Sequence, residues 1–308
     1  MRRIVINTSS FDLSIFSDLI DLEKSEVIID LNPYGRKLTE EEVLLRVGEG
    51  VIGLIAGLEP LNAKVLGSAK DLKAIARVGI GLDTVDLQAA RTHDIAVFNT
   101  PEPPAQAVAE LTLGHILGVL RNISRVDRSI REGEWKGQFG QLLAGKTVGV
   151  VGYGRIGRKV AELLTAFGVD ILAHDPVAPE TSTVRFVDLP TLLSTSDIVT
   201  LHVPYSAENH HLIGASELSS MKHGSFLVNV ARGGLVDEDA LLASLNTNHL
   251  AGAALDCFEV EPYSGPLKGL DNVVMTAHMG TYATETRGQM EREAAAQLVA
   301  HLRRIGEF

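Results

Sequence analysis

The sequence predicts an α/β protein with two doubly wound parallel-sheet domains, each with helices on both faces of its sheet. Three observations support this fold class. β-Rich runs alternate with helical segments in two successive series, a glycine-rich turn opens the second series, and 308 residues are too many for one ordinary core. An apolar content of 45% with 22% charged residues is ordinary for a globular protein.

The first series supplies the strands of an N-terminal domain. Its β-rich runs are Ile4 to Asn7, Val27 to Ile29, Ile52 to Ala56, Ala74 to Val78 and Ile95 to Val97. Alternation of such runs with helical segments is typical of a parallel sheet. The proline-rich run from Thr100 to Pro104 ends this series, because proline stops a helix and stiffens a connector.

The second series predicts a six-stranded sheet. Its runs are Thr147 to Val151, Asp170 to Ala173, Ile198 to Leu201, Ser225 to Val228, Ala251 to Ala254 and Val273 to Thr276. Six strands around one glycine-rich turn are enough for a complete nucleotide-binding domain of the doubly wound type.

Two long helices are predicted, one before and one after the second series in the sequence. The first is predicted as one helix from Ala105 to Arg131, along which Leu113, Ile116, Leu117, Leu120, Ile123, Val126 and Ile130 recur at helical spacing. The second runs from Thr281 to Arg304. We expect it to cross back onto the first domain, because the second sheet is complete before it begins. The predicted domains are residues 1–99 with 281–308 and residues 100–280.

The turn that opens the second series has the pattern of a dinucleotide-binding site. It reads Gly152-Tyr153-Gly154-Arg155-Ile156-Gly157, after an apolar strand and at the start of an amphipathic helix. Gly152 permits the tight turn, Gly154 lets a pyrophosphate approach the backbone, and Gly157 lets the helix pack closely on the sheet. The phosphates of a dinucleotide bind the N–H groups of such a helix N-terminus. An unrelated glycine-rich turn is the alternative, and the strand, helix and following acid count against it.

Asp175 predicts which dinucleotide is bound. This residue ends the strand after the glycine-rich turn, where a carboxylate accepts hydrogen bonds from the adenosine ribose diol and repels a 2′-phosphate. Pro176 follows it, so no arginine stands there to receive that phosphate. The sequence therefore favours NAD over NADP.

Charge and cysteine content exclude several other functions. The net charge is −11, which repels the phosphate backbone and argues against a nucleic-acid partner. The one cysteine, Cys257, excludes an internal disulfide and a cysteine-rich metal site, and we expect no metal. No apolar stretch approaches the length of a membrane span, and the N-terminus reads as a strand rather than a signal peptide. We therefore expect no membrane partner and a cytoplasmic location.

Three segments after predicted strands carry an arginine, a carboxylate and a histidine. They are Val228 to Gly234, Asp256 to Pro262 and Thr276 to Gly280. Open α/β sheets bind ligands at the carboxyl ends of their strands, so these side chains should converge near the nicotinamide. Oxidation of a 2-hydroxy acid needs a guanidinium to hold the carboxylate, an imidazole to take the hydroxyl proton and a carboxylate to orient that imidazole.

These motifs resemble those of the D-isomer-specific 2-hydroxyacid dehydrogenase family. The resemblance covers nearly the whole chain. The resemblance implies a Rossmann nucleotide domain plus a flavodoxin-like substrate domain, with the active site in the cleft between them. It implies Arg232 as substrate clamp, Glu261 as the partner of the histidine, and His278 as the acid/base. Glu259 is a nearby decoy, because the family's glutamate directly precedes the proline.

The resemblance also implies the binding residues and the assembly. The segment Arg77, Val78, Gly79, Ile80 and Gly81 is similar to the family's loop for the substrate carboxylate. The cofactor-binding residues implied beside the glycine-rich turn are His202, Val203 and Pro204 on the adenosine side and Ala231, Asp256 and Gly280 near the nicotinamide. A homodimer is expected, formed through the nucleotide domains.

The expected substrate is a small D-2-hydroxy acid, with 3-phosphoglycerate favoured because the motifs are most like those of the phosphoglycerate enzymes of this family. Gly57 departs from that pattern, since it stands where those enzymes tend to carry an arginine. Arg77, Arg131 and Lys136 are the cations left for a phosphate. The alternatives are glyoxylate, hydroxypyruvate or another 2-oxo acid, a non-enzymatic NADH-sensing protein like a corepressor, and another Rossmann enzyme that uses NAD transiently.

Overall fold

The computed structural model describes residues 2–20, 26–177 and 184–307, and the chain forms two compact units. The first unit comprises Met1–Pro104 and Thr281–Phe308, and the second comprises Ala105–Gly280. Each unit contains one sheet, and every strand pairing within the two sheets is parallel. The predicted fold class, an α/β protein with two parallel-sheet domains, is confirmed.

Helices and strands alternate along the chain in both units. The strands are β1 (Arg2–Ile6), β2 (Val27–Leu31), β3 (Val51–Ala56), β4 (Ala74–Arg77), β5 (Ala96–Asn99), β6 (Thr147–Val151), β7 (Asp170–His174), β8 (Arg185–Phe186), β9 (Ile198–Leu201), β10 (Ser225–Asn229), β11 (Leu250–Leu255) and β12 (Val273–Met275). The helices are α1 (Ser14–Leu19), α2 (Glu40–Arg46), α3 (Ala63–Ser68), α4 (Leu87–Thr92), α5 (Pro104–Leu120), α6 (Ile123–Arg131), α7 (Arg155–Thr165), α8 (Leu189–Thr195), α9 (Ala215–Ser220), α10 (Glu238–Asn246) and α11 (Thr284–Arg304). None of these helices is both long and apolar enough to cross a bilayer.

The first unit is a five-stranded sheet in the order β2-β1-β3-β4-β5, buried on both faces. Successive side chains of a strand point to opposite faces, so Ile4 belongs to one core and Val5 to the other. The C-terminal helix α11 covers one face. A Cβ on Gly53 of β3 would lie 3.2 Å from side-chain atoms of Leu298 and Leu302, so glycine lets this helix pack closely on the sheet.

The second unit is a seven-stranded sheet in the order β12-β11-β10-β9-β6-β7-β8. The chain passes from β6 to β7 on one side and continues through β9 on the other side of β6. Ligands of open α/β sheets bind at the carboxyl ends of the strands beside such a reversal. The edge strand β8 was not among the six strands that the sequence predicted, because a run of two residues carries no periodic pattern.

The single long helix predicted from Ala105 to Arg131 is wrong, since the chain forms α5 and α6 with a break at Asn122. The backbone of Asn122 is left-handed, with φ of 55°. Its side-chain Nδ2 donates to the carbonyl of Phe139 at 3.0 Å, and the N–H of Gln141 donates to the carbonyl of Leu120 at 2.8 Å. An incoming loop therefore replaces the helical hydrogen bonds at the break.

Acidic side chains define where several helices begin. Asp188 accepts from the N–H of Thr191 at 2.8 Å at the start of α8, and Asp237 accepts from the N–H of Ala240 at 2.9 Å at the start of α10. Each carboxylate satisfies an N–H that has no partner within its own helix. These caps fix the point at which each connection ends and its helix begins.

Candidate active site

The glycine-rich turn between β6 and α7 leaves no space for side chains at two of its positions. Gly152 has φ of +92°, and a Cβ on it would lie 2.6 Å from the carbonyl oxygen of His202. A Cβ on Gly157 would lie 2.0 Å from the carbonyl oxygen of Gly152. Beside Gly154, a Cβ would have no heavy atom of the described residues within 4 Å. The turn is thus closed against the sheet and open in front of α7.

Such a turn fits the pyrophosphate of a dinucleotide. Arg155 and Ile156 begin α7, and the backbone N–H groups of a first helical turn are the ones left to bind an anion. The open space beside Gly154 is where an incoming phosphate would approach the backbone.

Asp175 lies directly after β7, beside the glycine-rich turn. Its Oδ2 accepts from the N–H of Tyr153 at 2.7 Å, and its Oδ1 accepts from the N–H of Val177 at 2.9 Å. Each carboxylate oxygen has lone pairs beyond the one used here, so the group can also accept from a ribose diol. The residues present therefore fit an adenosine ribose as well as a pyrophosphate.

His202 follows β9, with Val203 and Pro204 after it. Its Nε2 lies 2.9 Å from Oγ1 of Thr200, and its buried Nδ1 has no hydrogen-bond partner among the described residues. Burial lowers the pKa of His202 to about 3, so the ring is neutral at pH 7. An unpartnered buried nitrogen beside Gly152 is a place where a ligand could form a hydrogen bond.

The loop after β10 holds Arg232 through the buried Asn229. Asn229 Oδ1 accepts from the N–H of Ala231 at 3.0 Å, and its Nδ2 donates to the carbonyl of Arg232 at 2.7 Å. Nη1 of Arg232 donates to the carbonyl of Ala231 at 2.7 Å. A Cβ on Gly233 would lie 1.9 Å from the carbonyl carbon of Phe258, so this loop packs directly on the next one. Sequence reasoning quoted Asn229 in its motif but missed this role.

The half-buried His278 and Glu261 form a hydrogen-bonded pair. Nδ1 of His278 lies 3.0 Å from Oε1 and 3.0 Å from Oε2 of Glu261. The N–H of Phe258 donates to Oε1 of Glu261 at 3.1 Å. Of the two glutamates in this loop only Glu261 contacts His278, because Glu259 binds Nε2 of His211. With Nδ1 engaged by Glu261, Nε2 of His278 is the nitrogen that can exchange a proton with a ligand.

Asp256 binds the loop that carries His278. It is fully buried, and its Oδ1 accepts from Oγ1 of Thr276 at 2.6 Å and from the N–H of Met279 at 2.8 Å. Its Oδ2 accepts from the N–H of Gly280 at 2.9 Å, and its carbonyl accepts from the N–H of His278 at 2.8 Å. The contact with nicotinamide expected of Asp256 stays a prediction, while the structure gives this carboxylate a role in shaping the loop.

The predicted substrate loop lies in the first unit, after β4. Gly79 has φ of +143°, and its N–H donates to Oγ1 of Thr100 at 2.8 Å. The carbonyl of Ile80 accepts from Nδ2 of Asn99 at 2.7 Å, so side chains at the carboxyl end of β5 hold the loop. Its remaining members are Val78, Gly81 and Arg77, which ends β4.

Arg77 is buried beneath this loop. Its Nη1 donates to the carbonyl of Val78 at 2.7 Å, and a Cβ on Gly79 would lie 1.1 Å from that Nη1. Glycine is favoured at position 79 by its φ of +143°, and the missing side chain leaves room for the guanidinium. The same guanidinium lies on the inner side of the loop, with 7% of the residue exposed.

A buried acid, Glu59, lies at the carboxyl end of β3. It is 1% exposed, and its Oε2 accepts from the N–H of Gly57 at 2.9 Å. Burial raises the pKa of this carboxyl. Val78, the first residue of the substrate loop, donates its N–H to the carbonyl of Ala56 at 2.9 Å, so Gly57 and Glu59 adjoin that loop. Sequence reasoning singled out Gly57 and missed Glu59.

Comparison with known proteins gives the same family as the motifs. A family model described as "D-isomer specific 2-hydroxyacid dehydrogenase, NAD binding domain" matches residues 113–280. The chain is similar to a hydroxypyruvate reductase of Thermotoga maritima, with 37% identity over 296 residues that cover 93% of this chain and 97% of that protein. It is 39% identical over 271 residues to a D-3-phosphoglycerate dehydrogenase of Methanocaldococcus jannaschii, covering 85% of this chain and 51% of that protein. A crystal structure of a protein from Thermus thermophilus matches with a TM-score of 0.89 and 36% identity, covering 98% of this chain and 97% of that one.

The chain belongs to the D-isomer-specific 2-hydroxyacid dehydrogenase family. It is an NAD-dependent oxidoreductase that acts on a CH–OH group, as the sequence predicts. The family, the enzyme class and NAD as cofactor are thereby confirmed. The relatives differ in substrate, so the substrate of this chain has to be argued from the residues of its site.

Proposed function

We propose that this chain interconverts a small, unphosphorylated 2-hydroxy acid and its 2-oxo acid, with hydroxypyruvate or glyoxylate as the 2-oxo acid. The observation that carries the chemistry is the position of Nδ1 of His278, 3.0 Å from both carboxylate oxygens of Glu261. A histidine oriented in this way can move a proton at its other nitrogen.

Each catalytic side chain has a separate task in this proposal. Glu261 keeps the proton of the neutral ring on Nδ1 and stabilises the imidazolium, and Nε2 of His278 exchanges the hydroxyl proton of the substrate. When bound, NAD would supply the hydride acceptor, and NADH the hydride donor, at the nicotinamide ring. Arg232 pairs with the substrate carboxylate through its planar set of N–H donors, an arrangement suited to two parallel hydrogen bonds. The loop from Val78 to Gly81 is proposed as a second contact for that carboxylate.

The cofactor site in this proposal follows the carboxyl ends of the second sheet. Gly152, Gly154, Arg155, Ile156 and Gly157 would hold the pyrophosphate, and Asp175 would hold the adenosine ribose. His202, Val203 and Pro204 would line the adenosine side, with Ala231, Asp256 and Gly280 near the nicotinamide. The closed turn at Gly152 and the unpartnered Nδ1 of His202 support this assignment.

The first unit supports an unphosphorylated substrate. A phosphate carries about −1.5 to −2 charges at pH 7 and binds best to arginine or lysine. At the carboxyl end of β3, Gly57 has no side chain to offer, and the nearest ionisable group is the buried Glu59. The cation of Arg77 lies beneath the loop. Hydroxypyruvate and glyoxylate carry one carboxylate and need no further cation, whereas the 3-phosphoglycerate favoured by the motifs does.

A panel of 2-oxo acids assayed by NADH oxidation tests this proposal. We expect kcat/KM to be highest for hydroxypyruvate or glyoxylate and at least about tenfold lower for 3-phosphohydroxypyruvate, a difference of about 1.4 kcal/mol. Preference for the phosphorylated acid would reject the substrate assignment and keep the chemistry. NADH binding without turnover of any acid would favour the sensor instead.

His278→Asn tests the proton carrier itself. We expect kcat to fall by about 10²-fold or more, because the amide cannot exchange a proton with the substrate. The Kd for NADH should stay within about twofold, since the ring has no part in holding the dinucleotide. Unchanged turnover would reject His278 as the acid/base.

Assembly as a homodimer and a cytoplasmic location stay predictions of the sequence. The homodimer gains support from the segment between α6 and β6, where Trp135 is 92% exposed and Phe139 is fully exposed. Exposed aromatic side chains of this size are typical of surfaces that bind another protein.

A further inference from the structure

We propose that His115, in the middle of α5, is a positioning residue that holds the His278 loop in its active shape through Thr276 and Asp256. The inference rests on the proposed role of His278 as the acid/base. His115 does not reach the loop's catalytic ring; it acts on the backbone that carries that ring.

A chain of hydrogen bonds with a fixed direction runs from His115 through Thr276 to Asp256. Thr276 donates its single hydroxyl proton to Oδ1 of Asp256 at 2.6 Å. Nε2 of His115 lies 2.9 Å from the same hydroxyl oxygen, and that oxygen can only accept there. His115 must therefore carry its proton on Nε2 and donate it to Thr276.

The surroundings of His115 keep it in this donating form. It is 2% exposed, and its Nδ1 is buried with no hydrogen-bond partner among the described residues. Burial lowers the pKa of His115, so the ring stays neutral at pH 7. A second proton, on Nδ1, would leave the buried ring charged, with no acceptor for that proton among the described residues. The hydrogen bond to Thr276 therefore determines the tautomer.

The loop needs such support because its backbone is unfavourable at His278. This residue has φ of +50°, a left-handed conformation that is uncommon for a residue with a Cβ. Asp256 holds the turn by accepting from the N–H groups of Met279 and Gly280, at 2.8 and 2.9 Å. The Thr276 hydroxyl is the third donor to that carboxylate, and His115 orients the hydroxyl. Removal of the His115 donor would leave Thr276 able to rotate away from Asp256.

A pair of variants at each position separates this role from simple packing. His115→Phe fills similar space and has no donor, whereas His115→Gln keeps an N–H at the end of a side chain long enough to reach Thr276. Thr276→Val removes the hydroxyl, and Thr276→Ser keeps it. Thermal unfolding of all four variants checks that each one folds.

Two measurements test the proposal, and one of them needs no turnover. Hydrogen exchange of the Met279 and Gly280 amides should speed up about tenfold or more in His115→Phe and Thr276→Val, and stay within about threefold in His115→Gln and Thr276→Ser. kcat should follow the same order, falling about tenfold for the first pair, with the Kd for NADH within about twofold.

The outcomes that overturn the inference are specific. If the Met279 and Gly280 amides exchange at the wild-type rate in His115→Phe, the chain of bonds does not hold the loop. If His115→Gln loses as much kcat as His115→Phe, the residue serves packing only. Faster exchange of the two amides in a protein without turnover would support the network and reject the proposed function.

Discussion

Glu261 presents both carboxylate oxygens to Nδ1 of His278, each at 3.0 Å. The negative charge beside the ring stabilises the imidazolium that forms when Nε2 takes the hydroxyl proton. Glu261→Gln keeps a hydrogen-bond acceptor and removes the charge, so we expect kcat to fall by about 10²-fold or more, as measured by steady-state NADH turnover.

Glu259→Gln is the matched control, since Glu259 lies in the same loop and binds His211 instead. Its kcat should stay within about twofold of wild type. Equal losses in the two variants would mean that loop charge in general, and not the pair with His278, sustains turnover.

Asp175 should decide between NAD and NADP. Its carboxylate is fixed by two backbone N–H groups, those of Tyr153 and Val177, and would meet the 2′-phosphate of NADP at close range. Asp175→Ser should raise the ratio of kcat/KM for NADPH to that for NADH about tenfold, or about 1.4 kcal/mol. Asp170→Ser, at the opposite end of β7, is the control. A cofactor ratio that stays the same in Asp175→Ser would contradict the ribose role.

Except for the two-residue β8, the strands of both sheets could be predicted from local pattern, because buried strands read as short apolar runs between helical segments. The dinucleotide turn could also be predicted, since its glycine spacing after an apolar strand is a local pattern. The contact that requires Gly157 is equally local, with the carbonyl of Gly152, whereas Gly152 itself is required by a contact with the distant His202. The two glutamates after β11 could be told apart only through the family resemblance, as both lie close to the same proline.

Other features depend on contacts that are distant in sequence. The break at Asn122 is set by the loop that brings Phe139 and Gln141 to the end of α5, while the apolar spacing continues across it. His115 lies within an apolar helical stripe, and its partner Thr276 is 161 residues away. Glu59 shows its burial only once β3 and its neighbours form a sheet. Such partners cannot be found from spacing alone.

His202 should make the stability of the protein depend on pH. Burial lowers its pKa to about 3 in the folded protein, against about 6.5 in an unfolded chain. Between these values the unfolded chain binds a proton that the folded protein does not. The free energy of unfolding should therefore fall as the pH decreases below about 6.5, by up to about 1.4 kcal/mol per pH unit from this residue.

Urea unfolding of wild type and His202→Gln from pH 8 to pH 4 measures this contribution. At pH 8 lost packing gives a constant difference between the two proteins, and the diagnostic quantity is the change in that difference with pH. We expect the variant to lose less stability than wild type between about pH 6 and pH 4. Parallel curves over that range would show that His202 takes up its proton in the folded protein as well.

The exposed aromatic segment after α6 should form part of a homodimer contact. Trp135 and Phe139 lie on this segment, and Leu142 near its end is 71% exposed. Light scattering should give twice the 33.1 kDa chain mass for wild type, and Trp135→Asp with Phe139→Asp should shift it toward the monomer. Leu45→Asp, at an 81% exposed leucine of the first unit, should stay dimeric. A monomeric wild type at micromolar concentration would reject the assembly.

Gly57 should determine whether the enzyme prefers an unphosphorylated or a phosphorylated substrate. A side chain at this position is compatible with the backbone, and its Cβ would meet only the flexible end of Glu59, at 3.1 Å, before ordinary contacts with Thr8. Gly57→Arg would add a cation beside the substrate loop, and a charge-assisted hydrogen bond contributes about 1.5–3 kcal/mol. The ratio of kcat/KM for 3-phosphohydroxypyruvate to that for hydroxypyruvate should therefore rise about tenfold or more.

Gly48→Arg tests whether position matters or only charge does. Gly48 is exposed and precedes β3, whereas Gly57 follows the same strand. Each variant adds one arginine, so the two change the net charge equally and differ only in its position. The Gly48 variant should keep the wild-type substrate ratio. A second variant, Gly57→Arg with Glu59→Gln, prevents the new cation from pairing with the buried acid and should raise the ratio further. If neither variant at Gly57 changes the ratio, the carboxyl end of β3 does not contact the substituent on C3, and discrimination against phosphate must come from another part of the chain.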